Sequence, residues 1–189
     1  MNGPLNGIRV FDLTRVLAGP SCTQILGDLG ADVIKIEPLH EPDMYREIGN
    51  SAELAKEGRG TEFLSQNGNK RSLSLDLSAP DGVAVARQLI ETADVMVENY
   101  RFGVMERHGL GYDAVSALNP RISYCSLTGF GHTGPKARHP AYAVVIQAYR
   151  GLMAANGTPD RAPARVGPAV PEYGPGAHAA PATPSAPCP

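Results

Sequence analysis

Short apolar, β-branched runs alternate along this chain with stretches whose apolar residues recur at three- and four-residue spacing. Ile8–Leu13, Asp32–Glu37, Arg71–Leu77, Asp94–Glu98 and Ile122–Leu127 read as strands. Between them, Ser21–Leu29 reads as a helix, with Pro20 near its start and Gly30 just past its end. A second helix opens at Ser78-Ala79-Pro80-Asp81, with Ser78 as candidate N-cap. Its Val83, Ala86, Ile90 and Ala93 form one apolar face. Tyr112–Leu118 predicts a short helix and Tyr142–Ala155 a longer one. Residues 38–68 read as loop-rich, punctuated by Pro38, Pro42, Gly49, Gly58 and Gly60.

Strand–helix–strand repetition predicts an α/β fold: a mostly parallel, Rossmann-like sheet with flanking helices. Such sheets bind ligands beyond the carboxyl ends of their strands, at the point where strand order reverses. This selects Thr14–Gly19, Leu75–Ser78, Asn99–Arg101 and Thr128–Pro135 as places for a site.

Composition divides the chain of 189 residues unevenly. Eight of its 17 prolines lie in residues 1–158 and nine in the last 31. From Tyr173 to Pro189 there is no Leu, Ile, Val, Phe, Met or charged Asp, Glu, Lys or Arg. Composition alone therefore draws a boundary near Pro159, with a linker or tail beyond it. A net charge of −2 offers no basic face for nucleic acid and no polybasic membrane signal. The longest apolar run, around Ala141–Ala148, falls far short of the roughly 18 residues a membrane helix needs. Met1–Asp12 lacks the basic and apolar regions of a signal peptide. Cys22, Cys125 and Cys188 are odd in number and have no CxxC spacing, which predicts a reduced, cytoplasmic setting and no zinc site.

The chemistry-bearing residues are sparse. The first strand–helix connection, Thr14–Pro20, lacks the GxGxxG of a dinucleotide site, so Glu37 at the end of the second strand is a poor candidate for a ribose-binding acid. Ala18-Gly19-Pro20 fits either a tight turn of small residues or close approach to a flat or phosphorylated ligand. Lys70 and Arg71 fit either a phosphate site or solvated surface charge. Arg101 and Arg107 follow the fourth strand and are further candidates for an anion. None of the five histidines has metal-ligand spacing. Cys125, mid-strand, reads as a small buried hydrophobe. Glu172 is the one carboxylate of a nearly uncharged segment.

Several of these stretches are familiar together. Leu5–Pro20 (LNGIRVFDLTRVLAGP), Gly27–Glu37 (GDLGADVIKIE) and Asn69–Leu73 (NKRSL) resemble, in order and spacing, segments of the family III CoA-transferases, the CaiB/BaiF family. So do Asp94–Tyr100 (DVMVENY) and Gly129–Pro135 (GFGHTGP). The likeness runs from about Leu5 to Ala180. It implies transfer of CoA from an acyl-CoA to a free carboxylic acid, with CoA as substrate and no permanently bound cofactor. Carried over residue by residue, it places CoA contacts at Leu17, Ala18, Leu75, Asp76, Asn99, Arg101 and Arg107. It places the nucleophilic carboxylate at Glu172, within Arg165–Tyr173 (RVGPAVPEY).

Three departures bear on that reading. The family carries Asp where this chain has Glu172, which adds about 1.5 Å of reach; a misplacement of 1 Å can cost about a hundredfold in rate. Many relatives carry Asp after the tyrosine, where Ala143 stands here. The related α-methylacyl-CoA racemases use a His near that tyrosine, and Tyr142 argues against their chemistry. Family members also continue into a second domain and form interlocked dimers. Residues 1–180 therefore read as an N-terminal part truncated before the second domain, and 181–189 as an unstructured Pro/Ala-rich tail. A non-catalytic CoA-binding fragment or an inactive product is the alternative to an enzyme, and the interlocked dimer is not expected.

Overall fold

A computed structural model describes residues 3–185. Five parallel strands form one sheet in the order β3-β2-β1-β4-β5: β1 (Arg9–Leu13), β2 (Asp32–Glu37), β3 (Lys70–Ser74), β4 (Val95–Glu98) and β5 (Ser123–Ser126). Register is continuous across the centre, with Phe11 opposite Ile34 on one side and Met96 on the other. The parallel, Rossmann-like sheet with flanking helices read from the sequence is the fold observed, and the reversal of strand order falls between β1 and β4.

Alternation along the strands gives the two faces different characters. Phe11, Leu13, Ile34, Ile36 and Met96 pack with Ala86 and Ile90 of α4 (Pro80–Glu91) and Val115 of α6 (Tyr112–Leu118). Val10, Val33, Val95 and Val97 pack on the opposite face with Cys22 and Leu26 of α1 (Ala18–Asp28) and Ala180 of α9 (Val170–Ser185). That second face also buries Asp12, Lys35 and Glu37.

Several boundaries differ from the sequence reading. Helix α1 begins at Ala18, so Ala18-Gly19-Pro20 is its first turn and Ser21 lies inside it. Ser78 does not cap α4; its N–H and hydroxyl both donate to Asp76 Oδ1, at 2.9 and 2.6 Å. The loop-rich stretch holds a 3-10 turn (Met44–Glu47), α2 (Ala52–Lys56) and α3 (Thr61–Gln66). A one-turn α5 (Val104–Arg107) follows β4. The predicted helix over 142–155 is broken by Gly151, whose φ of 77° starts a new turn, leaving α7 (Ala143–Tyr149) and α8 (Leu152–Ala155).

The largest correction is α9. The tail expected to be unstructured from 181 is helical through Ser185; residues 186–189 lie outside the described residues. This helix packs on α1 through small side chains. A Cβ on Gly176 would meet Ser21 Oγ at 2.4 Å and the Ala18 carbonyl at 2.7 Å, so the two backbones approach as only glycine permits. Ala180 and Thr183 continue the buried stripe. Pro184 cannot donate to the Ala180 carbonyl, and the Thr183 hydroxyl donates to it instead at 3.0 Å.

Candidate active site

The crevice opens where β1 and β4 end. Side chains hold five backbone polar groups of the turn leaving β1. The Thr14 N–H donates to Asp12 Oδ1 (2.9 Å) and the Thr14 carbonyl accepts from Lys35 Nζ (2.7 Å). Asn99, just beyond β4, brackets Arg15: its Oδ1 accepts from the Arg15 N–H (2.9 Å) and its Nδ2 donates to the Arg15 carbonyl (2.7 Å). The Val16 N–H donates to Asp43 Oδ2 at 3.0 Å. Val16 itself holds φ at 70°, a left-handed conformation that a β-branched residue adopts only under constraint. Gly19 allows the closure, since a Cβ there would lie 2.5 Å from the Thr14 side chain and 3.1 Å from Asn99 Cγ.

Beneath this turn lies a buried charge cluster. Lys70 Nζ stands 3.1 Å from Asp12 Oδ2, and Lys35 Nζ 3.6 Å from Asp43 Oδ2, all four side chains almost wholly buried. Arg46 pairs with Glu37 at 2.5 Å and covers the Phe63 ring at 3.8 Å. Burial pushes the Asp12 carboxyl up, but Lys70, Lys35 and the Thr14 and Thr23 hydroxyls outweigh it and hold it below the usual range. Burial depresses the Lys70 ammonium despite Asp12. Two readings of the sequence end here. Lys70 and Arg71 point to opposite faces, Lys70 inward to Asp12 and Arg71 outward to Asp32, so they form no joint phosphate site. Glu37, engaged by Arg46, is not free to bind a ribose.

Glu172 enters from the other side, in the first turn of α9. The Tyr173 hydroxyl, accepting from Gln66 Nε2 at 2.8 Å, ties that turn to α3. Buried Gln147 accepts from the Val166 N–H at 3.0 Å and ties the preceding segment to α7. Burial raises the Glu172 carboxyl above its ordinary value, while the backbone N–H groups of Ala143 and Ala18 draw it back down. These are the first residues of α7 and α1, so the positive ends of two helices converge on one half-buried carboxylate.

The cleft so formed has a volume of about 530 Å³. Glu172 is its only carboxylate among the described residues, and Arg15, Arg101 and Arg138 also line it. A second hollow of about 400 Å³, lined by Asp76, Ser78, His40 and His108, shares Arg15 and Tyr100 with the first, so the two adjoin. Of the residues expected to contact CoA, Ala18, Asn99 and Arg101 line the main cleft with Glu172, and Asp76 lines the second hollow. Leu17 is buried, Leu75 packs on the core, and exposed Arg107 ends α5; these three line neither hollow. Arg15, Tyr100 and Arg138 went unnoticed as single residues. The first two fall in or beside the strand-end windows, and Arg138 lies beyond them.

Three other side chains, Ser126, Cys22 and Cys125, are not nucleophiles. Ser126 Oγ donates to buried Glu98 and lies 2.6 Å from His132 Nε2. Here the serine bridges acid and histidine, whereas an activated serine needs the histidine in the middle. Burial pushes the Cys22 thiol up to about 12 and the Cys125 thiol to about 11, which leaves both protonated. Among the described residues no three His, Cys, Asp or Glu side chains gather as a metal site, and no helix is long and apolar enough to cross a membrane.

Comparison with known proteins agrees on one family. The sequence model of CoA-transferase family III matches residues 5–186. The chain is 42% identical over 170 residues to a succinate–glutarate CoA-transferase of Agrobacterium fabrum, covering 88% of this chain and 42% of that one. It is 44% identical over 165 residues to an acetyl-CoA:oxalate CoA-transferase of Acetobacter aceti, covering 87% and 41%. A crystal structure of a CaiB/BaiF family protein from Brucella suis superposes with a TM-score of 0.88 at 38% identity, over 98% of this chain and 49% of that one. The chain thus spans less than half the length of these relatives.

Proposed function

The chain belongs to CoA-transferase family III, and from that premise we propose that it moves CoA from an acyl-CoA to a free carboxylic acid through covalent intermediates on Glu172. The observation that carries this is a lone half-buried carboxylate, set against two helix starts in a cleft that three arginines also line. The arginines suit an anionic thioester and an acid acceptor. The adjoining hollow beyond Arg15 and Tyr100 gives the nucleotide end of CoA a place past the strand ends.

A Glu172 carboxylate oxygen attacks the thioester carbonyl, the C–S bond breaks, and a mixed anhydride and CoA thiolate result. The thiolate attacks the glutamyl carbonyl and expels the donor acid, leaving an enzyme-linked thioester. The acceptor carboxylate then attacks that thioester and again releases CoA thiolate, forming a second anhydride. Thiolate attack on the acceptor's acyl carbon gives the new acyl-CoA and restores Glu172. The N–H groups of Ala18 and Ala143 are placed to stabilise charge on this carboxyl as it cycles.

The test is thioester exchange between a labelled carboxylic acid and its acyl-CoA, beside calorimetric titration with CoA. Exchange abolished by Glu172→Gln supports the reading. CoA binding without exchange would leave a CoA-binding chain without the chemistry. Absence of binding sinks both.

A further inference from the structure

The turn that carries Arg15 and Ala18 is strained, and it is held from outside. Asp43, in the loop after β2, is 2% exposed. Its Oδ2 accepts from the Val16 N–H at 3.0 Å and its Oδ1 from the Tyr45 N–H at 3.1 Å. Its own N–H donates to Glu37 Oε1 at 3.1 Å, and Glu37 is fixed by Arg46. Lys35, 3.6 Å from Asp43, simultaneously holds the Thr14 carbonyl. A valine at φ 70° relaxes unless its surroundings over-determine it. Among the described residues Asp43 is the one side chain that grips the Val16 N–H, and two residues further on stands Ala18, which lines the cleft with Glu172 and whose N–H draws that carboxyl down.

We propose that Asp43 is a positioning residue: by gripping the Val16 N–H it fixes the strained β1–α1 turn, so that Arg15 lines the cleft and the Ala18 N–H meets the Glu172 carboxylate. This rests on the reading of Glu172 as nucleophile. The same grip also sets Tyr45, whose phenol is raised by burial first and by the charge of Glu172 second. Asp43 therefore ties the β1–α1 turn to the 3-10 turn at Met44–Glu47 from one point.

The test uses Asp43→Asn, which keeps one acceptor oxygen for two N–H donors, alone and combined with Val16→Gly, which adopts φ 70° without strain and so no longer needs the grip. Both are read by ¹³C NMR titration of the Glu172 carboxyl and by thioester exchange. In Asp43→Asn the Glu172 midpoint rises, because the Ala18 N–H no longer draws it down, and in the double variant it returns towards the wild-type value. In Asp43→Asn, kcat/KM for exchange falls by about 10–100-fold, and the double variant recovers part of the loss. Simple loss of Asp43's negative charge would instead lower the Glu172 midpoint. A midpoint that falls or stays put in Asp43→Asn, or a double variant no nearer wild type than Asp43→Asn, overturns the proposal. Should Asp43→Asn fail to fold, the double variant decides: recovery of folding and exchange supports the grip, and failure to recover overturns it. Should the wild-type chain show no exchange, the proposed function fails while the Glu172 midpoint still reports whether the turn positions the carboxylate.

Discussion

The two faces of the sheet are built on different principles. The face under α4 and α6 is apolar throughout its centre, with Phe11, Ile36, Ile90 and Met96 each 1% exposed or less. The face under α1 and α9 buries Asp12, Lys35 and Lys70 among valines and closes with glycine, alanine and threonine rather than large side chains. The first face drives folding by area removed from water. The second gives up some of that area, and in exchange it holds a strained turn and brings a carboxylate from the end of the chain against the start of α1.

Replacing one partner of a buried pair tests the second face most severely. Lys70→Met takes from buried Asp12 its nearest cation and leaves only Lys35 and two hydroxyls to hold its charge, which costs up to about 3–5 kcal/mol, measured by urea unfolding at neutral pH. The sign also shows in pH. The Asp12 carboxyl is held below its ordinary value, so its contribution is present above the unfolded-state value and is lost as pH falls through the folded one. The variant loses that part of the acid dependence. Its neighbour is the contrast: Arg71→Ala removes an exposed pair with Asp32, worth at most about 1 kcal/mol.

On the apolar face, Ile90→Ala costs about 2–5 kcal/mol through lost burial and a cavity. This loss is global, so every sheet amide loses hydrogen-exchange protection together. Gly176→Leu is expected to cost less, about 1–3 kcal/mol, but to act locally. The added side chain meets Ser21 and the Ala18 carbonyl, lifts α9 from α1 and carries Glu172 out of the cleft. Amides of α9 lose protection while β1 and β4 keep theirs, and exchange activity disappears. A uniform loss of protection would show that α9 is integral to the core instead of docked upon it.

The same contrast explains what the sequence made legible. Strands and α4 could be placed because large apolar residues recur at period 2 or at three- and four-residue spacing, and the parallel order then pointed to the strand ends. Helix α9 could not be, because Pro175, Pro181 and Pro184 break its helical signal and its packing stripe is Gly176, Ala180 and Thr183. Close backbone approach leaves no hydrophobic pattern to read. Glu172 was found only through likeness to a family, since composition placed it in a tail. The division between Lys70 and Arg71 needed the strand's orientation, and Asp43 needed the course of a loop that no periodicity describes.

The smallest expected effect runs opposite to the others. Burial raises the Glu172 carboxyl above its ordinary value. The folded state then binds the proton more tightly than the unfolded one, and stability falls as pH rises from the unfolded-state value through the folded one. Glu172→Gln removes this cost and keeps an oxygen facing the Ala18 and Ala143 N–H groups. The variant, dead in thioester exchange, is expected to melt at a higher temperature than wild type at neutral pH, with the gain fading as both are acidified below the carboxyl range. A lower melting temperature at every pH would mean that the carboxylate stabilises the docking of α9 on α1. The charged face would then owe its stability to the group that is here assigned the chemistry.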